Sequence, residues 1–428
     1  MAVKKIISSF LKLQLIVILT ISSVNFSNAS QILIPMDDTQ TNHLKAYGLS
    51  FYLLENGIVI DWLLNYRGGS FLTPHLITIE EELTIRGIRY EILADGQVNR
   101  IKTEIGAPDV NMEIVQLEKA PKIAVYTPGG KQPWDDAVTL VLEYAEIPYE
   151  KIYDSTIIAG GLPEYDWLHL HHEDFTGQYG KFYAAFRSYP WYKKQVADLE
   201  SSASKLGFNK VSELKLAVAS RIKNFVIGGG FLFTMCSGTD SFDIALAAHK
   251  TDICETMYDG DPADRDAQEK LDFTNTFAFK DFTLEKDPMK YEYSNIDGTS
   301  LHQRNERLDK FTLFDFSAKW DVVPTMLTQC HTNVINGFMG QTTDFRKEFI
   351  KSNVLILGET KSISTARYIH GVLGNGTWTF YGGHDPEDYE HRVGDPPTDL
   401  ELHPNSPGYR LILNNILFPA AKKKKRKT

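Results

Sequence analysis

The sequence predicts an α/β fold, a mostly parallel sheet with helices on both faces. Three observations predict it. From residue 122 onward, short apolar runs alternate with stretches of helical spacing, the rhythm of βαβ units. The 428 residues are 43% apolar, enough for one large or two ordinary domains with a full core. A 12% aromatic content excludes a disordered chain.

The elements follow in order. Residues 32–35 read as a strand. Thr41 opens an amphipathic pattern that places Leu44, Tyr47, Phe51 and Leu54 inside, and Gly57 stops it. Residues 58–64 read as the next strand, so the start of the chain looks like a βαβ unit. The turn-rich Asn65-Tyr66-Arg67-Gly68-Gly69-Ser70 closes it, and a less regular stretch runs to 119. A clearer series begins with a strand at 123–126. A helix at 134–146 and strands at 148–153 and 167–170 follow. A helix opens at Ser212 with Leu214, Val218, Ile222 and Phe225 on one face. Strands at 231–235, 354–357 and 378–381 come next. The closing helix carries Tyr409, Ile412, Leu413, Ile416 and Leu417 at i, i+3, i+4, i+7 and i+8. Residues 255–350 break the rhythm. The expected organisation is an N-terminal α/β unit at 30–119 and a larger domain at 120–421 with an insertion at 255–350.

The two ends differ from the body. Lys4 and Lys5 precede an apolar stretch at 13–24, and Ser27-Asn28-Ala29 has the form of a cleavage site. Residues 1–29 therefore read as a secretory signal peptide, which places the mature chain in the periplasm or outside the cell. No other segment is long and apolar enough to span a bilayer. Residues 422–428 form a basic tail. The net charge is −10, but setting aside the nine cations of the two ends leaves 36 cations against 55 acids, a body of −19. That charge excludes nucleic acid as a partner and leaves a small molecule or a carbohydrate. The oligomeric state is not readable. Three cysteines, Cys236, Cys254 and Cys330, are too few and too scattered for a disulfide framework.

The chemistry centres on Cys236. It follows an apolar strand and precedes Ser237-Gly238-Thr239-Asp240 and a helix, so it stands at the carboxyl end of a strand. That is where ligands gather in open α/β sheets. The helix N-terminus there favours a thiolate. His384 stands at the end of the last strand, in Tyr381-Gly382-Gly383-His384-Asp385-Pro386-Glu387. In a parallel sheet both strand ends share one rim. A thiol, an imidazole that takes its proton and a carboxylate that fixes the imidazole are the parts of nucleophilic acyl chemistry. The N–H of Ser237, with that of Gly129 or Gly130, would hold the oxyanion. His169, His171 and Glu173 alternate along a strand and share a side, with His172 opposite. They fall short of a complete metal site, so no metal or other cofactor is expected.

Residues Phe225-Val226-Ile227-Gly228-Gly229-Gly230-Phe231-Leu232-Phe233-Thr234-Met235-Cys236 resemble the elbow region of the class I glutamine amidotransferase-like superfamily, nearest its ThuA-like (trehalose-utilisation-like) branch. Residues Trp378-Thr379-Phe380-Tyr381-Gly382-Gly383-His384-Asp385-Pro386-Glu387, with the closing helix, resemble that branch's C-terminal signature. The resemblance covers 120–420 without the 255–350 segment. It implies a flavodoxin-like three-layer sandwich and, in true amidotransferases, a Cys-His-Glu triad that frees ammonia from glutamine. Cys236 and His384 match by position. Glu387 takes the third place, although it stands three after the histidine where the amidotransferase pattern has two.

The whole chain is also similar to bacterial exported proteins called asparagine synthetase B. Ser237-Gly238-Thr239-Asp240-Ser241 resembles the Ser-Gly-Gly-x-Asp-Ser loop that grips pyrophosphate, one residue short and without its second glycine. The N-terminal cysteine of asparagine synthetases has no counterpart, since Ala2 follows Met1 and Ser30 follows the cleavage site. The expectation is an exported, cysteine-dependent hydrolase of a small amide or ester. The alternatives are a catalytically silent carbohydrate-binding protein, an ATP-dependent amidotransferase, and a metal-dependent hydrolase built on His169, His171 and Glu173.

Overall fold

Alternation along the apolar runs decides which side chains meet, and two sheets result. The structure, a computed structural model, describes residues 29–129 and 132–422. The signal-like segment therefore lies outside the described residues up to 28, and so do Gly130 and the tail from 423. The first sheet joins β1 (Ala29–Ile34), β2 (Ile60–Leu64), β3 (Ser70–Pro74), β4 (Glu91–Ala94) and β5 (Glu113–Leu117) in the order β4-β1-β3-β2-β5. Every pairing in it is antiparallel. This corrects the βαβ reading of the N-terminus. Asn65, Arg67, Gly68 and Gly69 take positive φ and fold the chain back, and β3 inserts between β1 and β2. The helix expected from Thr41 runs His43–Glu55, capped by the Asn42 side chain on the Lys45 N–H, with all four expected apolar residues buried.

The second sheet holds β6 (Ile123–Tyr126), β7 (Glu150–Ile152), β8 (Trp167–Leu170), β9 (Phe231–Met235), β10 (Lys310–Leu313), β11 (Val334–Asn336), β12 (Phe345–Arg346), β13 (Leu355–Thr360), β14 (Thr365–Leu373) and β15 (Gly376–Tyr381). Its order is β11-β10-β13-β14-β15-β9-β8-β6-β7, with β12 on β14. The run β15-β9-β8-β6-β7 is parallel. The remaining pairings are antiparallel, so the sheet is mixed rather than mostly parallel. The cause is the tight β14–β15 hairpin, in which Gly374 takes φ 64°. β14 escapes sequence reading because seven of its nine residues are buried, Arg367 and His370 among them, with no alternation.

Helices cover both faces. On one, His43–Glu55, Ala137–Tyr144 and Pro407–Leu417 share a core with Phe233, Met235 and Tyr381. That core also takes in Ile32, Trp62 and Phe71 of the N-terminal unit. On the other, Val211–Gly228 and Ser237–Ala247 pack with Leu168, Leu232 and Phe380. Residues 231–235 thus alternate between the two faces as a pleated strand must. Gly48 brings two helices of the first face together, since a Cβ there would stand 1.8 Å from the Ala145 carbonyl oxygen.

The 255–350 segment supplies β10, β11 and β12 and closes over the second face. The main-chain N–H groups of Phe277, Ala278 and Phe279 donate to the buried Asp243 carboxylate. Lys210 bridges Asp252, Asp259 and Asp261. All three cysteines are free. Among the described residues no helix is long and apolar enough to cross a membrane.

Candidate functional site at the strand carboxyl ends

Cys236 follows β9 and stands at the N-cap of the helix Ser237–Ala247 with φ 49° and ψ −139°. A non-glycine residue in that region is strained by about 1–3 kcal/mol, and such strain persists only where the surroundings hold it. Here the holding contacts are visible. The Cys236 N–H donates to Gly383 O at 3.2 Å, and the Gly238 N–H donates to His171 O at 2.6 Å. Position 238 must be glycine, since a Cβ would meet the His171 carbonyl oxygen at 2.3 Å.

Cys236 is 2% exposed, and its sulfur accepts from the Gln341 N–H at 3.3 Å. Burial pushes the thiol up to about 11, against the N–H groups of Thr342, Gln341 and Ser237, which lower it. The expectation of a helix-stabilised thiolate is therefore corrected: desolvation outweighs the N–H groups, and the neutral thiol dominates at neutral pH. The Ser237 N–H faces this sulfur, and the Ser237 hydroxyl is buried without a partner. Gly129 is exposed with open space where its Cβ would be.

His384 does reach the same rim, because β15 lies parallel beside β9 with Tyr381 opposite Met235. Its ring goes elsewhere than to the sulfur. It stacks on His391 at 3.8 Å between centroids and lies 4.3 Å from His171 and 5.9 Å from His172. Its Nε2 stands 3.6 Å from Asp135 Oδ1. Among the described residues no hydrogen bond joins Cys236 Sγ to His384. Burial, then His171, bring His384 down to about 3, while Asp135 acts the other way. Glu387 pairs with His403 Nδ1 at 3.1 Å, so the carboxylate beside His384 is Asp135.

The histidines of β8 form the larger part of the site. His169 Nδ1 contacts Phe233 O at 3.2 Å, and its Nε2 stands 3.4 Å from Asp136 Oδ2. His171 Nδ1 stands 3.4 Å from Asp136 Oδ1. His172, expected on the opposite side, joins them because β8 ends at Leu170 and the alternation lapses. Its ring lies 5.1 Å from those of His171 and Trp134. Glu173 does turn away. It accepts from Tyr153 OH at 3.3 Å and lies 4.0 Å from Lys215 Nζ, and burial raises it to about 7.

Sequence reasoning missed Asp135, Asp136 and His391. The signal for the aspartates was present: an acidic pair directly ahead of a helix, in the loop that follows a strand. Asp136 caps Ala137–Tyr144 by accepting from the N–H groups of Val138 and Thr139. Burial alone would raise its carboxyl, but His169 and His171 hold it well below the usual carboxylate range. Nε2 of His169, both ring nitrogens of His171, Nδ1 of His172, Nε2 of His384 and Nε2 of His391 are buried without a hydrogen-bond partner, as is Asp135 Oδ1. Each buried polar group left unpaired costs about 1–3 kcal/mol. So many in one place mark a site shaped for something other than packing.

No family model matches the chain, and no curated protein matches it. Among solved structures it is similar to two cytoplasmic proteins of Salmonella typhimurium. One is 8% identical with a TM-score of 0.34, covering 71% of this chain and all of that one. The other is 12% identical with the same TM-score, covering 70% of this chain and all of that one. Gan42B, a GH42 beta-galactosidase, is 11% identical with a TM-score of 0.25 over 62% of this chain and 28% of its own.

Proposed function

We propose that the chain is an exported hydrolase of a small amide or ester, built on a class I glutamine amidotransferase-like domain. In chain order its five parallel strands run 2-1-3-4-5, with helices on both faces, which supports a flavodoxin-like three-layer core. In that arrangement ligands bind outside the strand ends where the order reverses, here between β6 and β8. Asp135 and Asp136 follow β6, and His171 and His172 follow β8. The observation that carries the reading is that these residues and His384 converge at that point. Imidazole–carboxylate pairs are proton acceptors of the kind that activate water toward an acyl carbon. Export rests on the N-terminal sequence pattern.

A second reading keeps Cys236 as the nucleophile, with His384 as its base. The strained backbone at 236 and the three N–H groups around the sulfur favour it. One experiment separates them: turnover of a panel of small nitrophenyl esters and of glutamine and asparagine by the parent, Cys236→Ser and Asp136→Asn. Cys236→Ser is expected to keep activity within about threefold, while Asp136→Asn loses about a hundredfold or more. Loss confined to Cys236→Ser selects the second reading. Saturable sugar binding with no turnover across the panel leaves a silent carbohydrate-binding protein and ends the hydrolase proposal.

A further inference from the structure

We infer that the histidine pocket is a site for a divalent transition metal, held by His171, His172 and His384 and steadied by Asp135 and Asp136. The binding itself does not depend on the hydrolase reading; only its catalytic consequence does. One nitrogen from each of the three rings lies within 4.8 Å of the others. His171 and His384 are 1% and 4% exposed, and Nδ1 of His172 is sealed from solvent. These rings come from two separate strand ends, so the fold itself brings them together.

The outer contacts match what metal ligands need. A ligating histidine commonly turns its second ring nitrogen to a carboxylate, which fixes its orientation. His171 turns Nδ1 to Asp136, which leaves Nε2 unpartnered. His384 holds its Nε2 3.6 Å from Asp135 Oδ1. His169 contacts Phe233 O through Nδ1 at 3.2 Å and stands 3.4 Å from Asp136 through Nε2, and so lies behind the aspartate. His391 stacks on His384 and reaches Asp135 at 3.5 Å and Asp388 at 3.1 Å, bracing the other side.

The donor chemistry narrows the ion. Three imidazoles suit zinc, iron, copper, nickel or cobalt; calcium and magnesium require oxygen ligands. The Cys236 sulfur belongs to no such group and is occupied by main-chain N–H. Three protein nitrogens leave a fourth position open, which is the pattern of a reactive rather than a structural zinc centre. Ligand nitrogens in a tetrahedral zinc centre stand about 3.4 Å apart, so the rings need to close by little more than 1 Å from the outer limit here.

Protein purified without chelator is expected to carry about one equivalent of zinc or another first-row metal. Chelator-stripped protein is then titrated calorimetrically with zinc alone and with cobalt alone. The parent and Cys236→Ser are expected to bind about one ion. His171→Ala and His384→Ala are expected to lose binding. Asp135→Asn, which keeps the ligands, is expected to weaken it about 10–100-fold, with folding of each variant checked by thermal unfolding. Less than a tenth of an equivalent on purification together with no titratable binding overturns the site. Undiminished binding in folded Asp135→Asn, His171→Ala and His384→Ala overturns it too. Metal bound without turnover keeps the site and ends the hydrolase reading. Turnover that survives complete metal removal keeps the hydrolase and ends the metal's part in it.

Discussion

At the scale of single residues, Cys236 shows how position and reactivity separate. A strand end and a helix start are legible in the residues around it, and both form as expected. Its burial is not legible there, because the groups that seal it, Gln341 and Thr342, stand more than a hundred positions later. The folded thiol should therefore resist alkylation. Iodoacetamide at pH 7 is expected to label Cys236 at least about a hundredfold more slowly than in urea-unfolded chain, read by mass spectrometry, since only the thiolate reacts. Rapid native labelling would refute the sealed state. The same distance hid Asp135 as the partner of His384. Glu387 is nearer along the chain, but its carboxylate goes to His403.

At the scale of elements, the amphipathic helices were the most legible. The closing helix runs Pro407–Leu417 from a Ser406 cap, with all five expected apolar residues fully buried. Apolar periodicity reports burial directly, so it survives in a lone sequence. Boundaries fared worse where a cap competes with the pattern. A helix expected at 134–146 begins at Ala137, because Asp136 turns its side chain onto the first N–H groups. Reading that turn as helix concealed the aspartate pair. Helix contact gives a prediction with a definite sign. In an exposed helix Gly→Ala stabilises by about 1 kcal/mol. At Gly48 the new methyl would run into the Ala145 carbonyl. Gly48→Ala is expected to destabilise by about 1–3 kcal/mol, read from the urea midpoint. A gain in stability would show that these helices do not meet this closely.

At the scale of the whole molecule, buried histidines set the pH range of the fold. His302 lies between Asp309 at 3.3 Å and Asp344 at 2.8 Å. Burial lowers its pKa, but the two carboxylates outweigh it and raise it to about 9. Its contribution is complete below the unfolded value near 6.5 and is lost as pH rises through 9. His43, His331 and His370 are held by burial at about 2, 4 and 4, with Arg410 adding to the first two. The unfolded chain takes up those protons near 6.5, so stability falls as pH drops from 6.5 toward 4. Urea midpoints are expected to peak near neutrality and decline on both sides, with His302→Gln flattening the alkaline side. A midpoint constant from pH 4.5 to 9.5 would contradict this. Arg410 links the scales, since its buried guanidinium joins the closing helix to Met36 O, Gly68 O and Tyr47 OH of the N-terminal unit. Nothing in the local sequence marks that arginine, because two of its acceptors are main-chain carbonyls and the third is a tyrosine hydroxyl more than 360 positions away.

The N–H that caps the Cys236 sulfur belongs to Gln341, which the ribosome makes 105 residues later. Throughout that interval a growing chain holds the Cys236 sulfur without this donor, whereas the acceptor of the Cys254 thiol, Thr176 O, has already been made. The seal on Cys236 is therefore late as well as distant, since it forms only once the segment carrying Gln341 has docked at the end of β9.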